Sequence, residues 1–110
     1  MLQDTPEFEH IPHLLRVNWE KYSDSLATYE LLNDMTRVHK ARLMNQSNWK
    51  TESEKERFAY AHDEYETHLI NVKTARSESL KLKSYITSLE ALFELYRSKN
   101  AMTRAEMNLK

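Results

Sequence analysis

Three absences define this chain of 110 residues: it has no glycine, no cysteine and no long apolar run. Glycine supplies the backbone conformations of tight hairpin turns and phosphate-binding loops, so its absence argues against β-hairpins and nucleotide cradles. Without cysteine there is no disulfide framework and no thiolate chemistry, which fits a reducing compartment. No apolar run approaches the roughly 18 residues of a transmembrane helix, and the acidic N-terminus lacks a signal-peptide core. We therefore expect a soluble, cytoplasmic protein without a membrane partner.

What the chain does contain favours helices. Its only two prolines are Pro6 and Pro12, and apolar residues make up 40% and charged residues 30% of the sequence. These proportions are typical of amphipathic or coiled-coil-like helices. We predict an all-α fold in which long amphipathic helices form a helical hairpin. Because so short a chain buries little apolar surface against itself, we also expect it to assemble into a homo-oligomer.

The first half of the chain predicts a tail followed by one long helix. Residues 1–10 are acidic, which predicts a loose tail. Pro12 suits the first turn of a helix, where a missing N–H costs nothing. Apolar and aromatic residues then recur at steps of three and four, which predicts a helix over about residues 12–44. That stripe consists of Leu15, Trp19, Tyr22, Leu26, Tyr29, Leu32, Met35, His39 and Leu43.

A polar segment at about residues 45–52 has no helical period and is interpreted as a connecting loop. A capping box for the next helix is formed either by Thr51 with Glu54 or by Ser53 with Glu56.

The remainder predicts helical segments over about residues 53–107, within a single helical domain of residues 11–110. Ser77 to Ser79 weakens the apolar pattern, so we favour a break or kink near residues 75–79. The predicted stripe consists of Phe58, Ala61, Tyr65, Leu69, Val72, Leu82, Ile86, Leu89, Phe93 and Tyr96. For the oligomer interface we single out Trp19, Tyr22, Leu89, Phe93 and Tyr96 from the two stripes, with packing inside the subunit as the alternative.

Charge is strongly segregated along the chain. The first 36 residues carry seven acids and two bases, whereas residues 37–50 carry four bases and no acid. Residues 51–66 hold six acids and two bases, and residues 67–83 hold four bases and one acid. An antiparallel hairpin would place basic blocks beside acidic ones, so part of this pattern predicts ion pairing.

The basic segment between residues 37 and 50 is the main candidate site. One or two cations at a helix C-terminus satisfy the macrodipole, but four without an acid exceed that need. We predict contacts to the phosphates of a nucleic acid, weak for one subunit and multiplied in a symmetric oligomer. The indole of Trp49 either stacks on an unpaired base or tucks under the helix turn. The four cations are Arg37, Lys40, Arg42 and Lys50.

Catalytic and metal chemistry are not expected. His62 and Glu66 share a helix face, and Glu7 and His10 have Glu-x-x-His spacing, but a dinuclear bundle needs two such motifs on facing helices. A glycine-free, thin fold also offers little room for a catalytic pocket. We therefore predict a non-enzymatic protein with no cofactor and no metal.

The order of features resembles the UvsY family, the recombination mediator proteins of T4-type phages. In that family a helix leads to a Lys-Ala-Arg-Leu segment and an aromatic-rich turn; here Lys40-Ala41-Arg42-Leu43 precedes Asn48-Trp49. Further segments that resemble the family are Ile11 to Leu15, Trp19 to Leu32, Leu80 to Lys83, Tyr85 to Tyr96, and Arg97 to Asn100.

The resemblance implies a small helical protein that forms a closed ring and binds single-stranded DNA. It also implies contacts with a recombinase and a single-strand-binding protein, which the recombinase replaces, in the host cell cytoplasm if the protein is phage-encoded. Lys40 and Arg42 match the DNA-contacting pair, and Arg97 and Lys99 match a basic stretch. The alternative is a helical interaction module without DNA affinity, such as a phage assembly chaperone or an inhibitor of a host protein.

Overall fold

The computed structural model describes residues 5–109. Over these residues the all-α prediction is confirmed, because every regular element is a helix and no strand is present. A short 3₁₀ turn, Phe8–His10, leads into three helices. They are α1 (Ile11–Gln46), α2 (Glu52–Ala61) and α3 (Asp63–Asn108). None of the helices in the described part of the chain is both long and apolar enough to cross a membrane.

The described part of the predicted tail packs on α3. The ring of Phe8 stacks on Phe93 with centroids 5.0 Å apart and meets the edge of Tyr96 at 5.9 Å. The Tyr96 hydroxyl donates a hydrogen bond of 3.2 Å to the Pro6 carbonyl oxygen. Residues 5–10 thus differ from the predicted loose tail, because aromatic contacts hold the segment despite its charges. Residues 1–4 of that prediction lie outside the described residues.

The connection between α1 and α2 follows the polar segment. It runs over residues 47–51, and Thr51 is the N-cap of α2. The Thr51 hydroxyl oxygen accepts from the Glu54 backbone N–H at 3.2 Å and donates to the Glu54 carboxylate at 2.8 Å. Of the two predicted capping pairs, Thr51 with Glu54 is therefore the one that begins the helix.

The interruption of the second helical region lies at His62, and the favoured break near residues 75–79 is wrong. His62 has an extended backbone (φ −77°, ψ 136°), while α3 continues without interruption through Ser77 and Ser79. Its Nδ1 accepts from the Glu64 backbone N–H at 3.1 Å, so the imidazole caps α3. Asp63 and Glu64 in the first turn suit the helix macrodipole, whereas serine is only mildly unfavourable inside a helix.

Contacts divide the described chain into two units. The terminal unit comprises residues 5–22 and 81–109, and the loop unit comprises residues 23–80. In both units the least exposed residues of α1 and α3 follow alternating steps of three and four, as in a coiled coil.

The core of the terminal unit is apolar apart from Asn18, whose amide donates to the Leu14 carbonyl oxygen at 2.8 Å. Ile11 and Ile86 are fully buried and Leu89 is 2% exposed. Its less exposed positions are Ile11, Leu15, Asn18 and Tyr22 on α1, and Leu82, Ile86, Leu89, Phe93 and Tyr96 on α3.

The core of the loop unit contains polar layers. Ser25 and Ser79 hydroxyls are 2.9 Å apart, and the Thr36 hydroxyl lies 2.9 Å from Nε2 of the buried His68. These contacts pair early residues of the α1 portion with late residues of the α3 portion, so the two portions run antiparallel within this unit. In residues 5–109 no buried side-chain nitrogen or oxygen lacks a hydrogen-bond partner, which satisfies the main requirement for a polar core.

Candidate nucleic-acid interface

Lys40 lies near the end of α1 in the loop unit, and α2 supplies its neighbours. Its Nζ is 3.6 Å from a Glu56 carboxylate oxygen and 4.9 Å from the centre of the Tyr60 ring. The side chain of Tyr60 first, and the Glu56 carboxylate second, raise the pKa of Lys40. Lys40 therefore stays positively charged, but one acidic neighbour already offsets part of its charge.

Arg42 makes a shorter contact with its carboxylate partner than Lys40 does. Its Nη2 donates to Glu64 Oε1 at 2.7 Å and to Nδ1 of His39 at 3.1 Å. Both members of the predicted DNA-contacting pair thus face carboxylates of the acidic block, as the segregated charge pattern predicts for part of the chain. These pairs are solvent-exposed, with 30–47% of each side chain accessible. Exposed pairs contribute only about 0–1 kcal/mol, so a phosphate competes with them on comparable terms.

Arg37, Lys50 and Trp49 complete the basic segment, and all three are exposed. Within the described residues no carboxylate lies within 4.0 Å of the cationic nitrogens of Arg37 or Lys50. The indole of Trp49 is 54% exposed and lines an open groove of about 440 Å³ with Glu54, Arg57 and Phe58. Of the two interpretations of Trp49, this exposure favours the one in which the ring is accessible.

Arg97 and Lys99 belong to the terminal unit, on the last turns of α3. Arg97 Nη1 donates to Glu94 Oε1 at 3.1 Å on the same helix, and both side chains are more than half exposed. Lys99 is exposed too. A pair between residues three apart on a helix surface is weak, so Arg97 keeps much of its capacity to bind an anion.

The five predicted oligomer-interface residues differ in burial. Leu89 is a correction: it is buried inside its own terminal unit, so it has no surface to offer a second subunit. Phe93 and Tyr96 are half-buried and are partly covered by Phe8.

Trp19 is exposed, whereas Tyr22 is half-buried like Phe93 and Tyr96. The Trp19 ring is 40% exposed and meets the edge of Tyr22, with centroids 5.8 Å apart. The Lys83 ammonium lies 4.3 Å from the centre of Trp19 and 5.6 Å from the centre of Tyr22. A cation over an indole is a favourable contact, so this aromatic pair already has a partner within the terminal unit.

Sequence reasoning missed an exposed apolar stripe on α1 in the loop unit. Leu31 is 63%, Met35 37% and Val38 53% exposed, and their spacing of four and three places them on one helix face. The stripe was missed because only Met35 lies among the positions with continuous helical period. Its signal in the sequence is that Leu31 and Val38 each lie one position before a member of the first stripe, while Met35 belongs to both sets.

The sequence contains two carboxylate–imidazole motifs with the spacing of metal ligands, and the structure shows what surrounds each of them. Glu7, Glu9 and His10 place ligand atoms within 4.8 Å of one another, but all three are exposed. His62 uses its Nδ1 to cap α3, so that nitrogen is already occupied.

Comparisons with known protein families, with curated proteins and with solved structures found no match to this chain. The fold and the candidate site define an all-α protein with a basic helix end.

Proposed function

We propose that this protein is a non-enzymatic, homo-oligomeric mediator of DNA recombination that binds single-stranded DNA and helps a recombinase replace a single-strand-binding protein. The observation that carries the proposal is the end of α1 with its connecting loop. There four cations and an exposed indole lie within fourteen residues that contain no acid. Cations for phosphates and an aromatic face for bases are the two elements of sequence-tolerant strand binding.

The ion pairs of Lys40 and Arg42 shape how the strand binds. Glu56 and Glu64 hold these side chains in place when no strand is present, and a phosphate displaces the carboxylates. The guanidinium of Arg42 suits this exchange, because its fork binds a phosphate with two parallel hydrogen bonds. The exchange makes binding by one subunit weak, so useful affinity requires several subunits along one strand.

Assembly is the second part of the proposal. α1 and α3 form a helical hairpin, and neighbouring hairpins associate into a ring. The stripe of Leu31, Met35 and Val38 supports this proposal, because it is an exposed apolar face that no residue of the described chain covers. It takes the place of Leu89 in the interface.

A titration of a fluorescently labelled single-stranded oligonucleotide at several salt concentrations tests the function. The variant Lys40→Ala/Arg42→Ala should bind more weakly, and its salt slope should fall by about one for each phosphate contact removed. The matched control is Lys73→Ala/Arg76→Ala, which removes an exposed lysine and arginine from α3. Strand binding that is equal in the two variants refutes the site. Light scattering during size-exclusion chromatography measures the proposed oligomer.

The alternative, a helical interaction module without DNA affinity, has an observation in its favour. Lys40 and Arg42 already have carboxylate partners, whereas Leu31 and Val38 do not lie in any core. This alternative predicts no strand binding even at low salt. It also predicts that partner capture depends on the exposed Trp19 or Val38, or on the half-buried Phe93.

A further inference from the structure

The last turns of α3 form one wall of a groove in the terminal unit. The groove has a volume of about 820 Å³, and Phe8 and Phe93 line it at one end. From Arg97 to Asn108 every residue of the helix is exposed. The surface is therefore open to solvent along more than three helical turns.

One face of α3 supplies the polar lining. Phe93, Arg97, Asn100 and Arg104 are separated by steps of four, three and four, so they share a face. Arg97 and Arg104 are two turns apart, or about 10 Å along the axis. At that separation the two guanidiniums reach different phosphates of a strand instead of the same one. Asn100 lies between them and adds an amide donor.

The charge of the groove is positive. Its lining contains two guanidiniums and a single carboxylate, Glu94. Glu94 pairs with Arg97, whereas no carboxylate of the described chain lies within 4.0 Å of the Arg104 guanidinium. In this respect Arg104 differs from Lys40 and Arg42, whose charges are each offset by a neighbour.

Aromatic rings accompany these cations. Phe8 and Phe93 are stacked, with ring planes 10° from parallel, and both remain partly exposed. A ring stack that extends from a basic groove offers a flat apolar face on which a base can stack. An acidic peptide has the charge to bind the arginines but no planar group that would use the aromatic end.

We infer that this groove is a second contact for single-stranded DNA, in which Arg97 and Arg104 bind phosphates and the Phe8–Phe93 stack holds a base. The inference rests on the proposed function and extends it to Phe8 and Arg104, which the sequence did not single out.

The test compares Arg97→Gln/Arg104→Gln with Arg76→Gln/Lys73→Gln, which removes two exposed charges elsewhere on α3. Binding of labelled oligothymidylate is measured over a range of salt. The groove variant should lose about two- to fivefold in affinity per guanidinium, the range of an exposed charge contact, and about two from its salt slope.

Wild-type protein should prefer oligothymidylate over an abasic oligomer of equal length, and Phe8→Leu should reduce that preference. Helical circular dichroism confirms that Phe8→Leu is folded.

The outcomes separate the two proposals. If the wild type binds the strand but the groove variant matches the control, the inference fails while the proposed function stands. An unchanged preference over the abasic oligomer in folded Phe8→Leu overturns the stacking role. If the wild type binds no strand, both proposals fail; binding of an oligoglutamate peptide in that case, lost in the groove variant, assigns the groove to an acidic peptide.

Discussion

The imidazole rings of His39 on α1 and His68 on α3 meet in the core of the loop unit, with their centroids 4.3 Å apart. Because an arginine can only donate, the contact from Arg42 requires a free electron pair on Nδ1 of His39. Burial first, and the neighbouring His39 second, lower the pKa of His68. The environment of His68 therefore disfavours its charged form.

Stability should fall in mild acid as a result. The unfolded chain binds a proton at His68 with the ordinary pKa of 6.5, while the folded state resists protonation. The contribution of this site is therefore complete above pH 6.5 and is lost as the pH falls through the lowered folded value. Urea unfolding followed by circular dichroism between pH 7.5 and 5 measures the effect. His68→Gln should flatten the pH dependence, whereas the exposed His13→Gln should leave it unchanged.

The hydroxyl pair of Ser25 and Ser79 should behave as a unit. Ser79 is only 4% exposed and its hydroxyl lies 2.9 Å from that of Ser25. Ser79→Ala leaves the Ser25 hydroxyl half-buried without its partner, which should cost about 1 kcal/mol of unfolding free energy. The double variant Ser25→Ala/Ser79→Ala should recover most of that loss, because no polar group is then left unpaired. A double-mutant cycle in urea gives the coupling, and purely additive losses would show that the pair is not one unit.

The polar layers of the core could not be predicted from the sequence, although the helices could. Helix type and approximate ends followed from composition and periodicity, and the capping box was visible in Thr51 and Glu54. The face of each helix was harder to predict. The apolar pattern places Trp19 and Leu69 inside, but Asn18 and His68 are the buried residues there and Trp19 and Leu69 are exposed. A hydropathy pattern gives no weight to an amide or imidazole whose hydrogen bonds are satisfied by its own fold.

The helix break and the candidate site illustrate the same limit. The favoured break followed weakened hydropathy at Ser77–Ser79, whereas the actual one depends on an imidazole that caps α3 at His62. The basic segment was evident from its charges alone. Which carboxylate each cation meets, Glu56 for Lys40 and Glu64 for Arg42, depends on the pairing of helices, and a linear charge count does not contain that information.

Apolar truncations should separate core from surface. Ile86 is fully buried in the terminal unit, so Ile86→Ala should lower the unfolding free energy by about 2–5 kcal/mol. Leu80 lies on the same helix but is 58% exposed, and Leu80→Ala should change it by less than about 0.5 kcal/mol. Both are read from urea unfolding at protein concentrations low enough to exclude association. A large loss for Leu80→Ala under these conditions would contradict the surface position of this side chain.

The competition between carboxylates and phosphates makes the most discriminating prediction. If Glu56 and Glu64 hold Lys40 and Arg42 in the free protein, then Glu56→Gln/Glu64→Gln should bind single-stranded DNA more tightly than wild type. Each exposed pair removed should strengthen binding by about two- to fivefold, the worth of such a pair expressed as affinity. The two glutamines keep the size of the side chains, so the helices should remain intact by circular dichroism.

Removal of any two acids raises the net charge, and this general effect must be subtracted. Glu78→Gln/Glu90→Gln removes two exposed acids from α3 that form no ion pair among the described residues. A gain confined to the Glu56/Glu64 variant, and abolished by adding Lys40→Ala/Arg42→Ala, identifies the carboxylates as competitors of the strand. Equal gains in both glutamate variants would reduce the effect to net charge. The end of α1 would then not be identified as the binding site of the strand.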